Sequence, residues 1–266
     1  MSAAKPGSLR VALGEYDIGW HHPDVSLDRA ARIVAASADD GARLVILPEM
    51  CTSGFTMDVE NFAEPVHGPR VSRLSQIARS GGVWLIAGVP TRDAETSAVA
   101  RNSALLFNPA GELSATYHKQ RLFAFADEQR SYQAGTEAVV VEMDGVRVAP
   151  FICYDLRFPE LFRRVAAGTD LMVVIASWPA ERRMHWDVLL AARAIENQCF
   201  VVGVNRTGNG GTVAYDGGSI GYDPWGAVLP SMPVRSIDGI AVVTVSASEV
   251  GRVRAAYPFL ADASTS

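Results

Sequence analysis

V-A-P-F-I-C-Y-D-L-R-F-P-E-L-F-R-R, residues Val148–Arg164, is the stretch on which the reading of this chain turns. An apolar run stops at Cys153, a short polar turn follows, and Pro159 and Glu160 open a helix. Proline suits a first helical turn, and a carboxylate is favourable beside the positive helix end. Cys153 therefore stands where a strand ends and a helix approaches. Such a turn can project a nucleophile from a rigid sheet, and the helix's unpaired N–H groups can hold an anion. A strand-end cysteine on its own is more often a packing residue. The thiolate is the reactive form, so a working Cys153 needs a base or a cation close by.

Two other apolar runs end in charged residues that can supply both. Leu44–Leu47, L-V-I-L, has the continuous apolar character of a strand buried on both faces, and it stops at Pro48 and Glu49. Leu113–Tyr117 runs directly into His118, Lys119 and Gln120. Brought together, Glu49, Lys119 and Cys153 are the parts of acyl transfer through a covalent thioester. Glu49 would take the thiol proton and return it to a departing amine. Lys119 would stabilise the thiolate and the developing oxyanion, with the backbone N–H of Tyr154 as the second oxyanion donor. His118 points to the opposite face on strand alternation and reads as a packing or surface residue. Lys119, at a strand end, reads as an ammonium whose loss would spare the fold. No Ser-His-Asp pattern, G-x-S-x-G elbow or zinc spacing competes with this set.

Around these three points the chain alternates. Val11–Leu13 and Glu15–Tyr16 read as a strand and Leu27–Ala38 as a helix; Thr52–Glu64 is loop-like; Val71–Ser80 is a helix and Val83–Val89 a strand. Ala104–Phe107 and Leu113–Tyr117 flank a turn at Asn108-Pro-Ala-Gly111, and Val139–Met143 and Arg147–Ile152 flank Asp144-Gly145, so both pairs read as hairpins. Arg121–Gly135 between them is mixed. Pro159–Ala167 is a helix, Leu171–Ala176 an apolar strand, and His185–Asn197 a helix with Trp186, Leu189, Leu190 and Ile195 on one broad apolar face. Phe200–Val204 is a strand, a Gly-rich loop follows, and after Ile220–Tyr222 the last strand is Ile240–Val245. With no linker and no repeat, residues 1–266 read as one α/β domain of mixed sheets covered by helices, frayed only at Ala261–Ser266.

Composition narrows the partner. A hydrophobic fraction of 48% with 20% charged residues lets a core form without staples. A net charge of −5 without a basic stripe argues against nucleic acid or an anionic membrane and for a small-molecule substrate. The three cysteines, Cys51, Cys153 and Cys199, form no C-x-x-C pair, so a disulfide framework is not expected and a reducing compartment, the cytoplasm, fits. Cys51 and Cys199 read as packing residues. Met1–Leu9 lacks the apolar core of a signal peptide, and no run approaches the ~18 apolar residues of a membrane span.

L-V-I-L-P-E-M with Glu49, Y-H-K-Q-R-L-F with Lys119 and F-I-C-Y-D-L-R-F-P-E-L-F with Cys153 resemble, in order and in context, the nitrilase superfamily of carbon–nitrogen hydrolases. W-D-V-L-L-A-A-R-A-I-E-N-Q (Trp186–Gln198) and Y-D-P-W-G (Tyr222–Gly226) extend the resemblance over nearly the whole chain. It implies a four-layer αββα sandwich of two mixed sheets flanked by helices, a homodimer formed through one helical layer, and neither a metal nor an organic cofactor. The superfamily's Glu-Lys-Cys triad maps onto Glu49, Lys119 and Cys153, and its auxiliary glutamate onto Glu128. C-Y-D-L-R-F-P-E with F-A-D-E-Q-R-S-Y-Q-A-G and S-W-P-A-E-R further resembles the omega-amidases. That implies hydrolysis of the side amide of 2-oxoglutaramate or 2-oxosuccinamate. Hydrolysis of an N-carbamoyl compound or of deaminated glutathione is the alternative within the superfamily. A non-catalytic binding or assembly protein on the same fold is the alternative outside it.

An omega-amidase must hold the substrate's far carboxylate, and arginine suits this because its planar fork makes two charge-assisted hydrogen bonds. Arg157, Arg182 and Arg183 are on offer. Arg157 is expected to pair with Glu160. Arg182, at the arginine of W-P-A-x-R, is preferred to Arg183 as the substrate ligand.

Overall fold

The computed structural model describes residues 7–94, 99–237 and 239–262. The chain opens with strand β1 (Ser8–Leu13) and helix α1 (Pro23–Asp39), then β2 (Leu44–Ile46), the one-turn helix α2 (Val59–Phe62), α3 (Pro69–Gly81) and β3 (Trp84–Arg92). A hairpin of β4 (Ala100–Phe107) and β5 (Leu113–His118) leads through α4 (Glu128–Ser131) to a second hairpin of β6 (Val141–Met143) and β7 (Val146–Ile152). Next come α5 (Pro159–Arg163), β8 (Leu171–Ile175), α6 (Arg183–Asn197) and β9 (Phe200–Val204). Strands β10 (Thr207–Gly210), β11 (Val213–Asp216), β12 (Ile220–Tyr222), β13 (Met232–Pro233) and β14 (Ala241–Ser246) precede α7 (Ala247–Ala256) and α8 (Phe259–Asp262).

Two large sheets result, ordered β13-β14-β1-β2-β3-β4-β5 and β12-β9-β8-β7-β6. Each is mixed: β1, β2 and β3 run parallel, as do β7, β8 and β9, while the hairpins and outer strands are antiparallel. Strand alternation explains the layering. Leu9, Val11 and Leu13 of β1, Leu44 and Ile46 of β2, and Ile86 of β3 share one core with Val148, Phe151, Val173 and Val202 of the other sheet. Their neighbours Ala12, Val45, Leu85 and Ala87 face the other way, onto Ile33 and Val34 of α1 and Leu74 and Ile77 of α3. On the far side α6 covers the second sheet with Trp186, Leu190 and Ala194. Each fully buried Leu, Ile or Val contributes roughly 1.5–3 kcal/mol, so the two inner faces hold the sandwich shut. This is the αββα order of layers expected above.

Several elements differ from their sequence reading. Ile195 is 52% exposed, because the buried stripe of α6 runs through Trp186, Leu190, Arg193, Ala194 and Asn197. Arg193 can lie there because its Nη2 donates to the carbonyl of Leu156 (2.7 Å) and its guanidinium sits 5.3 Å from the Phe162 ring centre. The helix expected over Pro159–Ala167 breaks after Arg163 and resumes as a 3₁₀ turn at Ala166–Gly168. The loop-like stretch after Thr52 contains α2, and the Gly-rich loop after β9 is a hairpin, β10–β11. Helix α7 follows the last strand; it buries only Val250 and Val253, too few for an amphipathic signal. It is fastened instead by Arg254, which donates to the carbonyls of Ala166, Thr169, Asn197 and Gln198, the last two at the negative end of α6. The tail expected from Ala261 overlaps α8, and residues 263–266 lie outside the described ones.

Candidate active site

The three strand ends do meet. Glu49 follows β2 by three residues, Lys119 follows β5 and Cys153 follows β7 directly. Lys119 Nζ lies 2.9 Å from Glu49 Oε1 and 2.9 Å from Glu128 Oε2, with all three side chains fully buried. The loop after β5 brings Glu128 back, and its Oε2 also accepts from the Phe123 N–H at 2.6 Å, which fixes the loop's course. Ser177, just past β8, joins the base to the nucleophile: its N–H donates to Glu49 Oε2 (2.8 Å) and its carbonyl lies 3.9 Å from Cys153 Sγ. Cys153 has φ of +47°, a left-handed conformation that turns the chain sharply from strand to 3₁₀ turn.

The electrostatics match the geometry. Burial works against the Lys119 ammonium, but the Glu128 and Glu49 carboxylates hold its pKa well above the ordinary lysine value. Burial pushes the Cys153 thiol well above its ordinary value, the Glu49 charge adds to this, and Lys119 opposes it. The resting nucleophile is thus a thiol, and a base must remove its proton at the moment of attack. A surface ammonium at the strand end was expected at Lys119; the structure instead buries it between two acids.

Two side chains that the sequence reading passed over hold this centre. Asn102 on β4 donates from one amide nitrogen to both glutamates, at 2.7 Å to Glu49 Oε1 and 2.9 Å to Glu128 Oε1, and its backbone carbonyl accepts from the Lys119 N–H. Asp155 is a buried clamp. Its Oδ2 accepts from the Tyr117 hydroxyl (2.8 Å) and the Ile152 N–H (3.0 Å), and its Oδ1 from the N–H groups of Gln120 (3.2 Å) and Arg121 (2.8 Å). It thereby ties the chain after Lys119 to the chain before Cys153, while burial lifts its carboxyl to about 6. Asn102 stands between Arg101 and Ser103, before the apolar run of its strand begins, so nothing local in the sequence marks it.

Above the centre lies a cavity of about 240 Å³, walled by Phe55, Phe123, Tyr154, Trp178, Arg157 and Arg182, with Cys153 and Lys119 also lining it. The volume suits a small molecule. Arg182 lines it, with an ion pair to Glu181 and its guanidinium 5.6 Å from the Phe123 ring centre. Arg183 is occupied by Asp187 and Asp216. The pairing expected between Arg157 and Glu160 does not form: Arg121 takes Glu160 at 3.1 Å. Arg157 lies over Trp178 (4.8 Å) with its Nη2 3.2 Å from His185 Nδ1, and no carboxylate among the described residues pairs with it. Arg157 closes the 3₁₀ turn Cys153–Arg157 and lines the cavity wall.

His118 bonds Ser103 Oγ through Nδ1 (2.8 Å), on the face away from Lys119, and burial lowers its pKa. Cys51 and Cys199 are buried thiols pushed up to about 12 by that burial, in keeping with packing roles. Among the described residues no group of His, Cys, Asp or Glu side chains is placed to hold a metal ion.

Comparison with known proteins places this arrangement. The family profile for carbon–nitrogen hydrolases matches residues 10–255. The 2-oxoglutaramate amidase of Bacillus subtilis is 32% identical over 255 residues, 93% of this chain and 95% of its own. Omega-amidase YafV of Escherichia coli K12 is 37% identical over 225 residues, 84% of each chain. A CN-hydrolase superfamily protein of Xanthomonas campestris, solved with an arsenic adduct in its active site, superposes with a TM-score of 0.87 at 35% identity, covering 96% of this chain and 97% of its own. With the profile matching almost end to end and the sandwich superposing over nearly all its length, this chain belongs to the carbon–nitrogen hydrolase family.

Proposed function

We propose that the protein is an amidase that releases ammonia from the terminal amide of a small carboxylate-bearing acid, such as 2-oxoglutaramate or 2-oxosuccinamate, through a thioester on Cys153. The observation that carries this reading is the buried Lys119, held between Glu49 and Glu128 beside Cys153 at the floor of a small cavity whose wall carries two arginines. Glu49 takes the thiol proton as Sγ adds to the amide carbon. The oxyanion is met by the Lys119 ammonium and by the Tyr154 N–H, which the start of the 3₁₀ turn leaves without a partner inside the turn. Glu49 passes its proton to the leaving nitrogen, ammonia departs, and the acyl group stays on sulfur. Water, deprotonated by Glu49, then cleaves the thioester. Glu128 orients Lys119 throughout, and the cycle uses no cofactor.

The far carboxylate is proposed to lie between Arg182 and Arg157, the second being a change from the sequence reading that follows from its missing acid partner. Ammonia release from 2-oxoglutaramate by the intact protein tests the function. Faster turnover of an N-carbamoyl amino acid or of deaminated glutathione would move the substrate within the superfamily. No turnover of any amide would leave a binding protein. Replacing either arginine with methionine is expected to raise KM for 2-oxoglutaramate by roughly 10–100-fold, the loss of a charge-assisted contact. A neutral amide of similar length should be spared, and equal losses on both substrates would remove the arginine from this role.

Asn102→Leu is expected to lower kcat by roughly 10–100-fold with KM nearly constant, because both carboxylates lose a shared donor that never meets the substrate. Steady-state kinetics indistinguishable from wild type would contradict this. The reading extends to assembly and location. One catalytic domain pairing as a homodimer is supported by Met184, Val188 and Ile195, exposed along α6, and by the half-exposed Trp225, which meets Tyr257 edge to face. Three free cysteines and no disulfide among the described residues are consistent with the cytoplasm.

A further inference from the structure

The hairpin β10–β11 belongs to neither large sheet, yet it supplies Val213 and Tyr215 to the cavity wall. It is fastened at its root. The Thr207 N–H donates to the Tyr16 carbonyl at 3.0 Å. The buried Arg206 donates to the carbonyls of Thr207 (3.1 Å), Ile18 (3.1 Å) and Asn209 (2.9 Å) and pairs with Asp17 at 3.4 Å. Gly208 has φ of +81°, and a Cβ there would meet the Asp17 carboxylate at 2.1 Å, so the ribbon passes Asp17 at a distance only glycine permits. The Arg206 guanidinium lies 4.6 Å from the Tyr215 ring centre. The ring is thus placed by a group held through its Nε and Nη2, although its buried Nη1 has no hydrogen-bond partner.

The Tyr215 hydroxyl is different. The residue is 7% exposed, and its hydroxyl makes no hydrogen bond to any described residue. The residue lines the cavity, so a hydroxyl with no protein partner is available to a molecule held there. Burial pushes the phenol up to about 12; the Arg206 charge works against this, those of Glu49 and Cys153 with it, and that of Arg182 against it. It is therefore protonated and a donor, on the wall of the cavity that Cys153, Lys119 and Arg182 also line.

We propose that Tyr215 is a substrate-binding residue that donates a hydrogen bond to the oxygen on the carbon beside the substrate's carboxylate, so that the site favours 2-oxo-acid amides over the same chain without the oxo group. Arg206 is the positioning residue for that donor. The inference rests on the amidase reading and sharpens it: with the amide carbon at Cys153 and the carboxylate at the arginines, the intervening oxo oxygen is an acceptor against the hairpin's wall.

Tyr215→Phe is the decisive variant, because it keeps the ring and its packing on Arg206 and deletes one oxygen. Ammonia release is measured for 2-oxoglutaramate and for glutaramate, which lacks only the oxo oxygen. Wild-type turnover of neither compound would reject the amidase reading itself, and this proposal with it. Given wild-type turnover, the variant is expected to lose about 10–100-fold in kcat/KM on 2-oxoglutaramate, chiefly in KM, and less than about threefold on glutaramate. Equal losses on the two substrates, or no loss on either, would overturn the role of Tyr215. Arg206→Lys, made alone and with Tyr215→Phe, completes a cycle: its effect on discrimination should largely vanish once the hydroxyl is gone. Full additivity would leave Arg206 as a structural residue only.

Discussion

Cys153→Ala and Cys153→Gly are both expected to release no measurable ammonia, with turnover down by at least about 10⁴-fold, and the glycine variant is expected to be the more stable of the two. The first half follows from chemistry: without sulfur no thioester forms, and the oxyanion donors alone leave only a small residue of catalysis. The second half follows from the backbone. Cys153 has φ of +47°, a conformation that costs a residue with a Cβ roughly 1–2 kcal/mol. Alanine keeps that cost and glycine removes it, so glycine should melt higher although it is elsewhere the less stabilising residue. Thermal melts of the two variants check this, and an alanine variant that melts higher would mean that the turn is unstrained.

Lys119→Met is expected to lose at least about 10²–10³ in kcat, the usual cost of a missing oxyanion donor, and also about 3–5 kcal/mol of stability at neutral pH. The stability loss arises because Glu49 and Glu128 remain buried, both bonded to the same Asn102 nitrogen, with no cation between them. Like charges out of water raise the proton affinity of such a pair. The variant's folded-state carboxyl pKa then lies above its unfolded value, so the variant is relatively stable at low pH and loses stability as pH rises through the raised value. Denaturant titrations at pH 5 and pH 8 should show a gap to wild type that widens with pH. Wild-type stability at pH 8 would show that the ammonium is not needed by the fold.

How the site could be read from the sequence differs from residue to residue. Glu49, Lys119 and Cys153 are visible because each stands at or just past the end of a strand-like run, and a strand's end is a local property. Asn102 and Asp155 are not, because their partners come from other strands, and nothing near Asn102 in sequence tells that one amide nitrogen will serve two acids 53 and 26 residues away. Arg157 differs for a related reason: Glu160 is its near neighbour in sequence, but Glu160 pairs with the distant Arg121 and Arg157 lies over Trp178. The hairpin carrying Tyr215 looked like a loop because T-G-N-G has no strand preference; contacts from Arg206 and Asp17 make it a strand. Ile195 was placed on the wrong side of α6 because that helix is apolar on two sides, and periodicity does not tell which side meets the sheet.

The position of β1 in its sheet sets the order in which a new chain can become whole. Strand β1 pairs with β2 on one side and with β14 on the other, and the β14 partner of Ser8 is Ser246. One edge of β1 therefore has no permanent neighbour until more than two hundred further residues have been made, a wait on the order of ten seconds or more. Throughout that time a row of unpaired amide and carbonyl groups beside Leu9, Val11 and Leu13 is a template for any other extended segment. The hazard in this molecule's life is thus concentrated at synthesis: a transcript cut short before Ala241 yields chains that carry nearly every catalytic group and an open, apolar sheet edge, and such chains are suited to sticking to one another rather than to turnover.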